Sequence, residues 1–243
     1  MGSKKIKIYI LIILLIVGCK NASESINEDI EIGSVTDIDG NNYKTVKIGD
    51  QWWMAENLKV THYRNGDKIQ RIFLNNDWSN LLSGAYCEYN CNSENYNNEE
   101  YVQEYGRLYN WYVIADNRGI APEGWHVPTD DDWKIMESYI GLEASLLDYN
   151  GWRGINTGNE LKSVSGWYDG GNGTDIWDFN AYPGGSRYID GNFIEIEHGA
   201  YFWTATESHP NHAWHRQLRF DFPSIYYNDK NKRRGYSVRC IKN

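Results

Sequence analysis

Long apolar runs, basic clusters and an even set of cysteines are all missing from the greater part of this 243-residue sequence. After residue 18 no segment approaches the roughly twenty apolar residues that a helix needs to cross a hydrocarbon core, so no transmembrane helix is expected there. Lys and Arg number 24 against 33 Asp and Glu, a formal charge of −9. That balance argues against a nucleic-acid partner. The single basic cluster, Lys230, Lys232, Arg233 and Arg234, reads as a solvated turn. Three methionines and five prolines beside 23 glycines, 11 tryptophans and 19 tyrosines exclude a simple helical bundle. They fit a loop-rich domain with an aromatic core, each ring burying about 150 to 250 Å².

What is present begins with a leader. Lys4, Lys5 and Lys7 precede an apolar run from Ile8 to Val17, which is too short to span a bilayer and has the order of charge and apolarity of a signal peptide. Ile16-Val17-Gly18-Cys19 has the form of a lipobox, so residues 1–18 are expected to be cleaved and Cys19 to carry a lipid. Residues 19–32, rich in Asn, Ser and Glu, lack the apolar surface to fold and read as a tether. Residues 33–243 form one domain. Loss of the leader's lysines leaves a charge of about −12. With Cys19 taken by the lipid, Cys87, Cys91 and Cys240 remain in an oxidising compartment. Three thiols allow one disulfide, from Cys87 to Cys91 or from Cys240 to either, and leave one cysteine over.

Periodicity places a hairpin at residues 43–55, with strand Tyr43 to Ile48, a turn at Gly49-Asp50 and a return strand Gln51 to Ala55. Leu108, Trp111, Tyr112 and Ala115 share one face of a helix predicted over 106–117. A second helix starts at Thr129, which can cap it ahead of Asp130, Asp131 and Asp132, carries Trp133, Met136 and Ile140 on one face, and stops at Gly141. Residues 151–185 are rich in Gly, Asn and Asp and read as a long structured loop with a short helix near 159–163. From Asn192 the period changes to two, which predicts strands at 193–196, 201–206, 214–220 and 236–241. The order of elements is that of an α+β fold.

Several constellations could carry chemistry. His209, His212 and His215 are metal-ligand types, but on one extended strand His209 and His215 stand about 20 Å apart, and they read as polar loop and sheet-edge residues. Asp169, Asn172, Asp175 and Asp178 offer the hard oxygens that calcium prefers, although turn formation explains the same residues and the spacing is not that of an EF-hand. Glu195, Glu197 and Glu207 are acids near strands with nothing to mark them as a catalytic pair. Trp152, Trp167, Tyr168, Trp177 and Tyr182 crowd the loop-rich stretch, where flat rings either stack on sugars or pin loops to the core.

Six motifs occur in an order that resembles the Fibrobacter succinogenes major paralogous domain family. They are the run from Tyr43 to Leu58 containing Trp52-Trp53-Met54-Ala55-Glu56-Asn57; Gly106-Arg107-Leu108-Tyr109-Asn110-Trp111; Ala121-Pro122-Glu123-Gly124-Trp125-His126-Val127-Pro128-Thr129-Asp130; Tyr182-Pro183-Gly184-Gly185; Phe202-Trp203-Thr204-Ala205-Thr206-Glu207; and Gly235-Tyr236-Ser237-Val238-Arg239-Cys240-Ile241. The resemblance covers nearly everything after Gly33. It implies a secreted or lipid-anchored domain similar in fold to C-type lectins and to the formylglycine-generating enzyme, and it implies no activity. Many members carry a cysteine where this chain has Ala121, which leaves Cys240 without that partner. The loop His209-Pro210-Asn211 lacks the leading carboxylate of a calcium lectin, and Cys87 and Cys91 lie far from where the enzyme carries its thiols.

The expected architecture is therefore an α+β, C-type lectin-like domain with two main helices, a loop-rich region and a small antiparallel sheet. The expected function is non-catalytic binding at the cell envelope, on the outer membrane or cell surface, anchored to the membrane through the lipid on Cys19. A polysaccharide or a surface protein is the expected partner. Trp167 and Trp177 are the expected ligand-stacking rings, with Asp169, Asn172 and Asp175 to hold hydroxyls. No cofactor is expected, calcium at Asp169, Asn172, Asp175 and Asp178 being the alternative. An enzyme of the formylglycine-generating type and a purely structural envelope protein are the competing readings.

Overall fold

A computed structural model describes residues 30–91 and 99–243. The leader, the lipobox cysteine Cys19 and most of the tether lie outside the described residues. Strand accounts for 36% of the structure and helix for 18%, in several sheets of which one curls into a half-barrel. The expectation of an α+β, C-type lectin-like domain with two main helices is thereby corrected to a mostly β fold.

The first sheet has the order β1 (Ile32–Thr36), β2 (Asn42–Ile48), β3 (Gln51–Met54), β14 (Ile241–Lys242) and β7 (Trp125–His126), all antiparallel. Its centre is the hairpin expected from the alternation around Gly49, whose φ of +62° suits the turn. The chain's last strand enters beside β3, so both ends of the domain close on one sheet. A second sheet joins β4 (Gln70–Arg71), β5 (Ala85–Cys87) and β6 (Leu108–Tyr109), and a third pairs β9 (Gly184–Arg187) with β10 (Phe193–Ile196). The fourth, with four strands but the largest in residues, has the order β11 (Gly199–His209), β12 (His212–Arg219), β13 (Phe222–Asn231) and β8 (Gly151–Arg153).

The helices are short: α1 (Asn75–Ser79), α2 (Glu99–Tyr105), α3 (Trp111–Ile114), α4 (Asp130–Tyr139) and α5 (Thr157–Leu161). The helix expected over 106–117 is the main casualty. Gly106 has φ +72° and Asn110 is extended, so Leu108 and Tyr109 pair as β6 and a single helical turn is left in α3. By contrast α4 forms as its sequence implies. The Thr129 hydroxyl accepts from the Asp132 amide, and the Asp132 carboxylate accepts in return from the Thr129 amide at 2.8 Å.

Helix α4 lies against the largest sheet through a ring-rich core. Trp133 sits 5.0 Å from Trp53, 5.9 Å from Phe179 and 5.8 Å from Phe202, and the four side chains are almost wholly buried. Truncating a ring in such a place costs about 3 to 5 kcal/mol. Among the described residues no helix is long and apolar enough to cross a membrane.

Candidate functional site

Successive residues of a strand face opposite sides, so the register of the largest sheet sorts its side chains into two surfaces. Phe202, Arg216 and Tyr227 align across β11, β12 and β13, and Ile225 aligns with Arg153 of β8. This surface faces α4. Tyr201, Gln217, Tyr226 and Trp152 form the corresponding row on the opposite surface.

On the helix side, charge is buried in pairs. Arg216 donates to Glu137 at 2.6 Å and to Asp130 at 2.7 Å, Arg153 donates to Glu137 at 2.6 Å, and Tyr227 Oη donates to Asp130 at 3.1 Å. Burial pushes the Asp130 carboxyl up, but Arg216 and Lys134 outweigh it and hold the group below its ordinary value. These acids are occupied by cations. They belong to the packing of α4 on the sheet.

The opposite surface is different in kind. Its β11 end is closed by Trp111 and Tyr236, which pack with Tyr201 and Trp203. Its β8 end is open. There the Trp152 ring stacks on Phe222 at 4.2 Å with 3° between the planes, and Tyr226 lies 5.0 Å from Trp152. Trp152 and Tyr226 are half-buried and Phe222 is 37% exposed, while Tyr149 and Ile155 nearby in sequence are exposed outright. Asn228 donates to Tyr226 Oη at 3.0 Å, and Lys230 Nζ lies 6.0 Å from the Tyr226 ring. The result is an apolar shelf with polar groups along its edge.

The shelf is braced from the loop-rich stretch. Lys162 is buried and donates to the carbonyls of Arg219 at 3.0 Å and Phe222 at 3.4 Å, on either side of the β12–β13 turn. Burial pulls its ammonium down to about 8. Its charge is 5.1 Å from the centre of the Trp167 ring. Helix α5 approaches so closely that a Cβ on Gly158 would come within 2.3 Å of the Ser224 carbonyl oxygen. The Phe222 backbone is thus held by Lys162, and its strand is met closely by α5 at Gly158.

The rings proposed for stacking from the sequence fall into two groups. Trp167 is 5% exposed and donates to Ser163 Oγ at 3.0 Å; Trp177 is 7% exposed and donates to Glu160 at 3.1 Å. Both belong to the main core, so neither presents a free face, and the expectation that they stack on a ligand is corrected. Trp152 stays at the surface. Phe222 and Tyr226 were missed with the whole of β13, because Pro223 and the polar run Asn228-Asp229-Lys230-Asn231 mask an alternation of Phe222, Ser224, Tyr226 against Ile225, Tyr227 that was there to be found.

The oxygen ligands proposed for calcium do not converge. Asn172 Oδ1 accepts from the Trp167 amide at 3.1 Å, Asp175 Oδ1 from the Asn180 amide at 2.7 Å, and Asp178 pairs with Lys44 at 2.5 Å. Asp169, Asp175 and Asp178 all have positive φ, so they turn the chain. His209 and His212 face each other across the β11–β12 turn with rings 4.3 Å apart, because Pro210 bends the chain there. His215 is buried elsewhere, its Nδ1 donating to the Asn228 carbonyl at 2.7 Å, and burial pushes its imidazole down to about 3. Among the described residues no group of three or more His, Cys, Asp and Glu side chains is placed to hold a metal. Cys87, Cys91 and Cys240 are buried and unbridged.

No curated protein and no solved structure matches the chain. Residues 46–242 match a family described as the Fibrobacter succinogenes major domain, a stretch that takes in the end of β2, all of β3, the core helix α4 and the whole of the sheet that carries the shelf. The chain belongs to the Fibrobacter succinogenes major domain family.

Proposed function

We propose that this chain is a non-catalytic binding domain held at the cell envelope by a lipid on Cys19, and that it binds polysaccharide on the shelf of Trp152, Phe222 and Tyr226. The observation that carries the reading is the Trp152–Phe222 stack at an open end of the sheet. Sugar rings present flat patches of C–H bonds, and aromatic faces flanked by hydrogen-bonding groups suit them. The Asn228 amide and Tyr226 hydroxyl stand beside the rings to meet hydroxyl groups. Support for a non-catalytic role comes from the acids. Glu195 accepts from Arg219 at 3.2 Å and from the Tyr201 hydroxyl, and Glu207 pairs with Lys232 at 2.8 Å, so two of the three acids the sequence offered for hydrolysis are tied to neighbours, while Glu197 is exposed.

Binding of the chain to an array of envelope and plant-type glycans tests the reading. A glycan that binds the native protein should bind Trp152→Ala at least about tenfold more weakly, as expected for a central contact, with the circular dichroism spectrum unchanged. Equal affinity in Trp152→Ala and Phe222→Ala would remove the shelf from consideration.

A further inference from the structure

Cys87 ends β5, and Cys91 follows it through a turn in which Asn90 has φ +56° and the Cys91 amide donates to the Glu88 carbonyl at 3.2 Å. The turn folds the second cysteine back onto the first. Both side chains lie in one apolar cluster with Ile72, Trp78 and Leu108.

Arg187 of β9 lies over this pair, wholly buried, with its guanidinium 4.5 Å from the Trp78 ring and 4.7 Å from Phe193. It donates to the carbonyls of Gly191 at 2.9 Å, Ile72 at 2.5 Å and Phe73 at 2.9 Å, and to Asn75 Oδ1 at 3.4 Å. Those acceptors are neutral. They satisfy the N–H groups, but among the described residues no carboxylate pairs with the charge. A cation in that position stabilises any anion that forms beside it, and the groups beside it that can become anions are the two thiols.

The thiols are not equivalent. Burial pushes Cys87 well above the ordinary thiol value, whereas the hydrogen bond from Cys87, with help from Arg187, holds Cys91 below it. Cys91 keeps only 2% of its surface, but it lines a cleft of about 560 Å³ together with Phe73, Asn90, Asn192 and Phe193. Cys87 does not reach the cleft.

We propose that Cys87 and Cys91 are a reactive dithiol–disulfide pair in which Cys91 attacks small disulfides entering the cleft and Cys87 resolves the product. Cys91 gives its proton to solvent and its thiolate attacks one sulfur of an incoming RS–SR. A Cys91–SR bond forms as the RS–SR bond breaks, and RS⁻ leaves and takes a proton from solvent. Cys87 then gives its proton to solvent and attacks the Cys91 sulfur, expelling the second RS⁻, which is protonated in turn. The pair loses two electrons and two protons; the external disulfide becomes two thiols. The Arg187 charge favours a thiolate on either sulfur of the pair.

The test uses the full chain with Cys19→Ala, so that the N-terminal thiol is silent, reduced and then treated while folded with 4,4′-dithiodipyridine. Two equivalents of thiopyridone should be released, leaving a protein lighter by two hydrogens with Cys87 linked to Cys91 in its peptide map. Adding Cys91→Ser should slow the first equivalent by about tenfold or more, since Cys87 does not line the cleft and burial favours its protonated form. Adding Cys87→Ser should leave the first step fast and stop it at a mixed disulfide on Cys91, an arrest that a merely structural pair would not show. The proposal is overturned if Cys91→Ser reacts as fast as the parent, or if the folded parent releases thiopyridone only after unfolding.

Discussion

Arg216 Nε and Glu137 Oε1 lie 2.6 Å apart across the seam between β12 and α4, and neither side chain keeps more than 1% of its accessible surface. A second guanidinium, that of Arg153, reaches the same carboxylate from β8 at 2.6 Å. Together with Asp130, which meets Arg216 at 2.7 Å from the first turn of α4, Glu137 ties the helix to two strands of the sheet.

Removing that acid leaves charge stranded where water cannot reach it. Glu137→Ala should lower the unfolding free energy by about 3 to 5 kcal/mol, the usual result of breaking a buried pair from one side. Urea denaturation followed by tryptophan fluorescence at pH 7 measures it. A loss under about 1 kcal/mol would mean that the seam opens to solvent and the pairing is not what joins α4 to the sheet.

Asp175 supplies a pH dependence. Burial, the largest influence, raises its carboxyl from 3.8 to about 6, against the opposing effects of the Asn180 amide and Arg239. Between those values the folded chain binds more protons than the unfolded one. The group's contribution is therefore complete below pH 3.8 and is lost as pH rises through 6. Asp175→Asn keeps an oxygen for the Asn180 amide and tolerates the backbone φ of +47°, yet never ionises. It should gain stability on the native chain across that window, by on the order of 2 kcal/mol at pH 7. Urea midpoints of both proteins at pH 4 and pH 7 decide the matter, and a difference independent of pH would refute it.

The anchor has its own test. Cys19→Ala should abolish incorporation of labelled fatty acid and move the protein out of the membrane fraction of the cells that make it. Continued labelling of the variant would end the lipoprotein reading.

Much of the domain was legible where local chemistry and tertiary packing agree. The cap at Thr129 works through groups three residues apart, and the hairpin around Gly49 through neighbours on either side of a turn, so both stand in the structure as the sequence implies. The helix expected over 106–117 failed because Leu108, Trp111 and Tyr112 fit a helical face by spacing alone. In the fold Leu108 is opposite Cys87 in β6, and the Tyr109 amide donates to the Tyr236 carbonyl at 2.9 Å. Partners some twenty and over a hundred residues away outweighed a weak local preference.

The family and the aromatic core were settled by sequence, because ordered motifs and ring-rich composition are properties of the chain itself. So was the presence of surface-capable rings between residues 151 and 182. Which of those rings would be free was decided only in three dimensions. Trp167 and Trp152 are the same residue type in the same stretch, but Trp167 is drawn under Lys162 and the β12–β13 turn, while Trp152 sits on the edge strand β8 and meets Phe222 at the surface. Exposure depends on what packs over a side chain, and for Trp167 the cover combines Lys162, close by in the chain, with the β12–β13 turn more than fifty residues downstream.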